Sequence, residues 1–480
     1  MDEQDFLTNI RFPLRPRIRI TAYCNRRCQY CFAQDYLSAK REDLEIHLDV
    51  MEKIIKMCKE EGIRKIAWQG GEPLLYTKLE ELVELHRKYN MKVSLFSNGL
   101  VEKEKVNLLR GVGERVLLNC NEPRTYTIEE WQSLNENIEI FKDVLGETNV
   151  ALGVNVYMKD MDTEFIVNLA KEHHISEVRI DMTRPAPSHK NEFIDFTDVK
   201  EMFGTLKKTV IRLEEEGIII PHFDCPFPLC ALSEEDREFA YKYIYDDMKY
   251  AMCRSGLDIT TDAQLASCFC AIPIKNISIY EFESLWSAWL TIDYYENKIR
   301  WERTTYEKCK SCKYHINKIC QGGCLGYKVK AGEYVDQYKY QEELAGLPEN
   351  YLTRLGEAYK LFFTKRMQES REILDVLYTK CKYEKTLWLR AVASIFLKNG
   401  DQMDCIKEII DASSYPAVTA MEMGRILIEI NDNHKCKDVL EYSFGIVNKH
   451  DVGYNKLLGG LIEIAKREKK YDDIYKYFKS

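Results

Sequence analysis

Between residues 17 and 185, the hydrophobic and polar positions follow two periodicities that alternate along the chain. Segments in which every second residue is apolar, such as RIRITAY with Ile18, Ile20 and Ala22 on one face, are typical of strands. Segments with apolar residues three and four positions apart, such as DVMEKIIKMCKEEG up to Gly62, predict helices. The other predicted strands are RKIAWQ, KVSLFS, ERVLLNC, NVALGVNVYM and EVRIDM, and the other predicted helices are KLEELVELHRKYN, KEKVNLLRGVG, IEEWQSLNENIEIFKDVLG and TEFIVNLAKEHH.

Six strand–helix units predict an α/β domain over residues 17–190, with a parallel sheet that is open or partly closed as a (β/α)6 barrel. In such sheets, ligands bind at the carboxyl ends of the strands, on the loops that follow them. The motifs CNRRCQYC (24–31), GGEP (70–73) and SNG (97–99) each follow one of the first three predicted strands. We therefore expect these three motifs to converge at one edge of the sheet.

Two further regions follow the predicted barrel. Residues 191–340 lose the alternation and contain nine cysteines and long polar connections, which predicts an irregular domain stapled by metal. Residues 341–480 have an almost purely helical pattern in four similar helix–turn–helix segments. Aligning Ser370, Cys405 and Cys436 gives intervals of 35 and 31 residues, which predicts tetratricopeptide-like repeats. The signature residues of that repeat are largely absent, so an ordinary helical bundle is the alternative.

Composition narrows the class of protein. The chain has 480 residues, too many for one hydrophobic core, and its 45% hydrophobic and 30% charged residues are typical of soluble proteins. A net charge of −8 gives no general attraction to nucleic acid or to anionic membranes, and no apolar run approaches the ~20 residues that span a bilayer. Residues 1–16 form a lead without the apolar core of a signal peptide, and they leave no room for a domain before the first strand. We expect a cytoplasmic protein without nucleic-acid or membrane partners.

Seventeen cysteines point to metal or redox chemistry, since disulfides are rare in a reducing cytosol. Three lie between residues 24 and 31, and nine lie between residues 225 and 324. The remaining five are scattered and are expected mostly to pack in cores. They are Cys58, Cys120, Cys381, Cys405 and Cys436.

The first cysteine group, Cys24, Cys28 and Cys31, has the spacing C-x3-C-x2-C. A closed structural site takes four protein ligands, whereas three thiolates on a four-iron cluster leave one iron open. A zinc site or three buried structural cysteines are the alternatives, but zinc favours paired C-x2-C knuckles. Joined to GGEP after the second strand and SNG after the third, the spacing resembles that of the radical S-adenosylmethionine (SAM) superfamily over about residues 17–185.

The resemblance implies a [4Fe-4S] cluster whose open iron binds the amine and carboxylate of SAM. Electron transfer from the cluster would break the sulfonium C–S bond, and the 5′-deoxyadenosyl radical would remove a hydrogen atom from the substrate. The GGEP residues would contact the methionine amine, and the SNG residues would lie near the ribose and carboxylate. The cofactor-binding residues expected on this basis are Tyr30, Gly70, Gly71, Glu72, Pro73, Ser97, Asn98 and Asn155. Asn155 is equally compatible with a polar position inside the barrel.

The second cysteine group ends with CKSCKYHINKICQGGC (309–324), which contains four cysteines within sixteen residues and is a strong metal signal. Taken alone it favours zinc. Together with an upstream pair of cysteines and the radical SAM core, it resembles the SPASM or twitch extension, which carries auxiliary four-iron clusters. By this resemblance Cys253, Cys268 and Cys324 serve one cluster, and Cys309, Cys312 and Cys320 serve another.

This group departs from the family pattern. Seven residues separate its central cysteines, Ala263 stands where a glycine is usual, and no cysteine follows Cys324 before Cys381. Asp336 is one candidate for the missing ligand, and the count permits one auxiliary cluster as well as two. Three further cysteines, Cys225, Cys230 and Cys270, can also replace missing metal ligands.

One scattered cysteine has a candidate catalytic role. Cys120 ends the fourth predicted strand in LLNCNEP, where a thiol can donate a hydrogen atom to a substrate radical. A packed core thiol is the alternative.

The resemblance favours an enzyme that modifies a ribosomally made peptide by a thioether, a carbon–carbon crosslink or epimerisation, with an external electron donor. The helical repeats would bind the peptide or its leader. A dehydrogenase or epimerase acting on a sugar or antibiotic is one alternative. A non-enzymatic iron–sulfur scaffold or sensor is another, although the intact GGEP motif and the open cysteine triad argue against it.

Overall fold

The structure is a computed structural model that divides into two compact units, one within residues 14–340 and the other formed by the helices after residue 340. Cys253, Cys270 and Asp336 lie outside the described residues, so the ligand roles predicted for them rest on the sequence alone. The described residues are 14–37, 44–221, 223, 225–243, 256–268, 277–302, 306–316, 320–328, 347–449, 451, 453–470 and 476–477.

An eight-stranded sheet forms the centre of the first unit. Its strands are β1 (Arg17–Thr21), β2 (Lys65–Gly70), β3 (Lys92–Ser97), β4 (Gly113–Asn119), β5 (Val150–Val156), β6 (Val178–Met182), β7 (Asp258–Ile259) and β8 (Leu265–Ala266). The order across the sheet is β6-β5-β4-β3-β2-β1-β7-β8, and every pair is parallel except β7 with β8. Because β1 to β6 lie side by side in chain order, the predicted parallel α/β architecture is confirmed.

The longer helices of the first unit are α1 (Leu48–Glu60), α2 (Leu79–Lys88), α3 (Lys103–Leu108), α4 (Ile128–Leu145), α5 (Glu164–Glu172), α6 (Val199–Glu215), α7 (Glu234–Tyr243) and α8 (Leu285–Glu302). The first five connect β1 to β6 as the apolar periodicity predicts, whereas α6 to α8 lie in the region that was predicted to be irregular. The buried face of α1 includes Val50, Ile54 and Cys58, and the chain leaves this helix through Gly62 in the left-handed region (φ 72°). Thr127 begins α4 with a capping box.

The sixth strand–helix unit extends beyond residue 190, where the sequence predicted the barrel to end. Helix α6 packs against β5, β6 and α5, and its buried residues include Phe203 and Leu206. The packing of the barrel therefore includes the first helix of the region that was predicted to be irregular.

Two short strands of that same region extend the main sheet. The Arg17 backbone N–H donates to the carbonyl of Leu257 at 2.9 Å, and the Arg17 guanidinium pairs with the buried carboxylate of Asp258. A strand of two residues has no periodicity for a pattern to detect. The periodicity of the sequence therefore did not indicate this edge of the sheet.

The second unit is all-helical, as predicted. Its helices are α9 (Tyr351–Phe363), α10 (Met367–Lys380), α11 (Glu384–Leu397), α12 (Gln402–Ala412), α13 (Pro416–Glu429), α14 (Asn433–Phe444) and α15 (Tyr454–Arg467). Each helix contacts the next, and α9, α11, α13 and α15 also contact one another in sequence. Left-handed residues Lys365, Lys398 and Asn431 recur every 33 residues at the turns. The tetratricopeptide-like identity stays a prediction. None of the described helices is both long and apolar enough to cross a membrane.

Candidate functional site

The first cysteine group lies on the loop that leaves β1 at the carboxyl edge of the sheet. Cys24, Cys28 and Cys31 are all half-buried, and the Cys31 N–H donates to the Cys28 carbonyl at 3.1 Å. Burial raises the pKa of Cys24 to about 11 and that of Cys31 to about 12, and the nearby Cys28 thiolate contributes to both shifts. The three cysteines are therefore close neighbours, and iron would have to displace the protons of Cys24 and Cys31 on binding.

Two side-chain amides point at these sulfurs. Asn98 Nδ2 lies 3.7 Å from Cys24 Sγ, and Asn121 Nδ2 lies 4.0 Å from Cys28 Sγ. The backbone N–H of Arg26 adds a donor 3.4 Å from Cys24 Sγ. Donors aimed at thiolates stabilise their negative charge and are known to tune iron–sulfur clusters.

The donor set fits a four-iron cluster with one open corner, because such a cluster takes one thiolate per iron. In the described part of the chain, no three His, Cys, Asp or Glu side chains converge tightly enough to hold a single metal ion. The ligands of a four-iron cluster bind different irons, so they need not converge on one point.

The two glycines of GGEP allow a close approach between two backbones. A Cβ on Gly70, which has φ +142°, would lie 2.2 Å from the Thr21 carbonyl oxygen, and a Cβ on Gly71 would lie 2.0 Å from that of Tyr23. The N–H groups of Gly71 and Glu72 donate to these same two oxygens, both at 2.8 Å. The glycines therefore hold the end of β2 against the start of the cysteine loop. Their predicted contact with the methionine amine stays a prediction.

Glu72 joins GGEP to SNG. Its carboxylate is fully buried and accepts from Ser97 Oγ at 2.9 Å and from the Asn98 N–H at 2.7 Å. It also accepts from the Leu74 N–H at 3.2 Å, in the turn that Pro73 begins. Burial raises the pKa of Glu72 to about 7, although these donors oppose the shift. One carboxylate thus fixes the ends of β2 and β3 relative to each other.

Asn98 links this corner to the cysteine loop. Its side-chain Nδ2 donates to Asn25 Oδ1 at 2.8 Å and its Oδ1 accepts from the Leu100 N–H at 2.8 Å. Asn25 in turn donates to the Leu100 carbonyl at 2.7 Å. The predicted residues of GGEP, SNG and the cysteine loop are therefore brought together.

A chain of hydrogen bonds continues across the carboxyl ends of β4 and β5. Asn155 donates to Asn119 at 2.9 Å, Asn119 donates to the Tyr30 hydroxyl at 2.8 Å, and Tyr30 donates to Asn121. Tyr30 is buried and stacks on Tyr157 with ring centroids 5.1 Å apart. Tyr30 therefore supports the loop from inside the protein, and its predicted contact with a bound base stays a prediction.

The sequence did not indicate a role for Asn119 and Asn121, although they flank Cys120, which was predicted as a candidate hydrogen donor. Side chains alternate along a strand, so Asn119 and Asn121 share one face and Cys120 takes the other. Cys120 is fully buried, its thiol donates to the Leu118 carbonyl at 3.5 Å, and burial raises its pKa to about 12. This is the placement of a packed thiol, and the hydrogen-donor role stays a prediction.

The second cysteine group separates into two neighbourhoods. Cys309, Cys312 and Cys320 lie together, and Cys230 joins them. The other neighbourhood contains Cys225 and Cys324, whose side chains are hydrogen-bonded to each other.

Cys268 lies next to β1, near Arg19. Burial lowers the pKa of Arg19, and the charges of Asp258 and Cys268 oppose that shift. His315 places both ring nitrogens against backbone carbonyls, 3.2 Å from Cys320 O and 3.1 Å from Trp301 O. This histidine therefore joins the cysteine segment to the end of α8.

Comparison with known proteins identifies the domain that carries the first cysteine group. Residues 18–151 match the family model of the Radical SAM superfamily. This part of the chain is a radical SAM domain, and domains of this superfamily use SAM and an iron–sulfur cluster.

Curated relatives match part of the chain. Molybdenum cofactor biosynthesis protein 1 of Dictyostelium discoideum is 27% identical over 218 residues, which cover 42% of this chain and 34% of that protein. GTP 3′,8-cyclase of Helicobacter pylori (strain HPAG1) is 27% identical over 236 residues, which cover 43% of this chain and 73% of that protein. The chain thus spans about a third of the first relative's length and nearly three quarters of the second's.

Solved structures with a similar chain path include SuiB of Streptococcus suis. SuiB bound to S-adenosylmethionine has a TM-score of 0.48 and 17% identity, covering 68% of this chain and 77% of SuiB. SuiB bound to the precursor peptide SuiA has a TM-score of 0.48 and 16% identity, covering 70% and 78%.

Proposed function

Since residues 18–151 form a radical SAM domain, we propose that the protein is an enzyme that cleaves SAM reductively and removes a hydrogen atom from its substrate. The observation that carries this proposal is the cysteine loop itself. Cys24, Cys28 and Cys31 are neighbouring thiols at the carboxyl edge of a parallel sheet, where ligands of such sheets bind.

In this proposal the three cysteines bind three irons of the cluster. When bound, the cluster supplies the electron that converts SAM into methionine and a 5′-deoxyadenosyl radical. Asn98 and Asn121 donate to the thiolates, and Glu72 keeps SNG against GGEP so that both can face the cofactor. Tyr30 and the asparagines beneath it keep the loop in place and exclude water from its inner side.

The proposed substrate is a ribosomally made peptide, supported by the second unit. In this unit each helix contacts the next, and the left-handed turn residues recur every 33 residues. Helical repeats of this kind stack into elongated surfaces, which suit the binding of extended peptides. The alignments to curated relatives cover 42% and 43% of this chain, so more than half of it lies outside them. We assign leader-peptide binding to this unit, and the modification itself to the radical SAM unit.

A small-molecule substrate is the second candidate, because similar proteins are named GTP 3′,8-cyclase. Anaerobic reactions with SAM, a strong reductant and GTP would test it directly. Consumption of GTP in step with 5′-deoxyadenosine formation would favour this candidate. Unchanged GTP, with 5′-deoxyadenosine formed faster when a short peptide encoded next to the gene is added, would favour the peptide.

Anaerobic incubation of the full chain with SAM and a strong reductant tests the activity common to both candidates. The expected product is 5′-deoxyadenosine, measured by mass spectrometry, and Cys28→Ala should abolish it. Cys381→Ala, in the second unit, is the matched control and should keep it. If the iron-loaded protein forms no 5′-deoxyadenosine under any condition, the scaffold alternative is correct.

A further inference from the structure

The segment CPFPLC (225–230) runs along CQGGC (320–324) in the opposite direction. Cys225 contacts Cys324 at one end, and the Leu229 N–H donates to Cys320 Sγ at the other. Between these contacts, a Cβ on Gly323 would lie 3.2 Å from Pro228 Cδ. Each segment therefore begins and ends with a cysteine, and the cysteines meet in two separate pairs.

Pro226 and Pro228 keep these two pairs apart. Proline fixes its φ angle, and Pro228 is extended (φ −67°, ψ 114°). Cys230 then lies in the short turn Leu229–Ala231 that follows Pro228. Cys225 and Cys230 are thus suited to serve two different groups rather than one.

Cys230 lies with Cys309, Cys312 and Cys320. Cys230 is close enough to Cys309 and Cys312 for their charges to act on its sulfur. Cys320 is likewise a neighbour of Cys230 and Cys309, and it accepts from the Leu229 N–H, one residue before Cys230. The Cys312 N–H donates to the Cys309 carbonyl at 3.1 Å, so these two thiols leave one tight turn. Four thiols from two distant segments thus share one neighbourhood.

A buried cation marks the other neighbourhood. The Arg184 side chain is fully enclosed, and its Nη2 donates to the Cys225 carbonyl at 3.0 Å and to Asp181 Oδ1 at 3.2 Å. Within the described residues its Nε and Nη1 have no hydrogen-bond partner. Asp181 supplies one counter-charge to this guanidinium, and the unused donors favour a second anion beside Cys225 and Cys324, such as a thiolate-ligated cluster.

We propose that Cys230 is the fourth thiolate ligand of an auxiliary cluster bound by Cys309, Cys312 and Cys320, and that Cys225 and Cys324 belong to a second, separate cluster. Each thiol gives up its proton to solvent when its sulfur binds iron. The proposal rests on the proposed function, since it takes the chain to be an iron–sulfur protein. In this proposal, Cys230 takes the place of the cysteine ligand that the family pattern has after Cys324 and that this sequence lacks.

Iron content and spectra test the ligand directly. In a Cys24→Ala, Cys28→Ala, Cys31→Ala background, the reconstituted full chain should hold about eight irons if two auxiliary clusters form. Adding Cys230→Ala should lower the count towards about four or give the paramagnetic signal of a three-iron cluster, whereas Cys381→Ala should change neither. Iron content and Mössbauer spectra unchanged by Cys230→Ala would overturn the proposal, as would a background that binds no iron.

Alkylation gives a second readout that needs no variant. Cys230 is exposed and Cys381 half-exposed, so iodoacetamide should label both in the iron-free chain. After reconstitution, labelling of Cys230 should fall at least tenfold while that of Cys381 persists. Equal labelling of Cys230 with and without iron, while Cys309 becomes protected, would overturn the assignment.

These outcomes are independent of the proposed activity. Protection of Cys230 without any 5′-deoxyadenosine would leave the ligand assignment standing and refute the enzyme. Formation of 5′-deoxyadenosine with Cys230 still reactive would do the reverse.

Discussion

At the scale of single residues, the cysteine loop depends on neighbours that carry amides rather than charges. Asn98 and Asn121 each point an N–H at a different cysteine sulfur, and Tyr30 fixes the orientation of Asn121 by donating to its oxygen. A hydrogen bond to a thiolate favours the more negative, reduced form of a cluster. These asparagines should therefore make the cluster easier to reduce.

Replacing Asn121 by Ala should lower the midpoint potential of the cluster bound by Cys24, Cys28 and Cys31. A weak hydrogen bond of about 1 kcal/mol corresponds to roughly 40 mV for one electron. Redox titration followed by electron paramagnetic resonance measures the shift. Asn107→Ala is the control, since that exposed amide donates to the Lys103 carbonyl, far from the cysteine loop in sequence. An unchanged potential in Asn121→Ala would contradict the role given to this amide.

Glu72 should make the first unit less stable as the pH rises through the range from about 4.5 to about 7. Its pKa is raised from 4.5 to about 7, chiefly by burial, so the folded state binds a proton there that the unfolded state has lost. This contribution amounts to about 3 kcal/mol, is fully present well below pH 4.5 and is lost once the pH has risen above 7.

Glu72→Gln should therefore flatten the dependence of unfolding free energy on pH over that range, measured by anaerobic denaturant titration of the first unit's transition. Glu104→Gln, at an exposed position of α3, should keep the wild-type slope. The same slope in Glu72→Gln as in the wild type would show that another group is responsible.

The sequence revealed the cysteine triad because its three members lie within eight residues and their spacing is chemically specific. It did not reveal Asn119, Asn121 or Tyr157, which join the site only after β4 and β5 pair. The signal was present in LLNCNEP, where alternation places the residues beside Cys120 on the opposite face. The chemistry of cysteine favoured Cys120, whose side chain lies on the face opposite to Asn119 and Asn121.

At the scale of elements, the closest backbone approach of the site is where β2 ends against the start of the cysteine loop. Gly71 allows that approach because its missing Cβ would overlap the Tyr23 carbonyl. The atoms in the way belong to backbone, which cannot swing aside as a long side chain can. The position of the cysteine loop is therefore set by the strand beside it.

Gly71→Ala should displace the cysteine loop, with an overpacking cost of about 3 kcal/mol or more. Iron binding by Cys24, Cys28 and Cys31 should fall with it, measured as iron per chain and as the unfolding free energy of the first unit. Gly204→Ala is the matched control, because a Cβ there meets nothing within 4 Å and lies inside α6. That control should gain about 1 kcal/mol of stability. Equal iron content in the two variants would contradict the argument.

Element types followed from periodicity wherever an element was long enough to show it. The eighteen-residue helix α4 was predicted almost to its ends, since Thr127 caps its start and Gly146 follows its last residue. The two-residue strands β7 and β8 were not, because they exist through pairing with β1 and each other. The pairing of CPFPLC with CQGGC was equally hidden, since it joins segments about 95 residues apart.

At the scale of the whole molecule, the chain combines a unit suited to radical chemistry with an all-helical unit that contains none of the grouped cysteines. If the second unit binds a leader peptide, the two tasks should be separable by experiment. Deleting residues 345–480 should weaken peptide binding at least tenfold and leave 5′-deoxyadenosine formation from SAM intact. Isothermal titration with the peptide, beside the product assay, measures both.

The matched control for that deletion is the full chain with Cys28→Ala, which should bind the peptide normally and form no 5′-deoxyadenosine. Unchanged peptide affinity in the truncated chain would refute docking on the helices. Loss of both properties would indicate that the first unit needs the second for its folding, a result that circular dichroism and iron content would register.

The pairing of β1 with β7 has a consequence for the order in which the chain is made. Arg17 and Asp258, which pair across this seam, are 241 positions apart. Until the ribosome has synthesised Asp258, one edge of β1 stays unpaired directly before the cysteine loop. Unpaired strand edges promote aggregation of nascent chains. Contacts so distant in sequence also slow folding. Ribosome-stalled chains that end before residue 256 should therefore be far more sensitive to protease around β1 than chains that extend well beyond residue 268. We also expect iron to bind the cysteine loop after β1 only late in synthesis or once synthesis is complete.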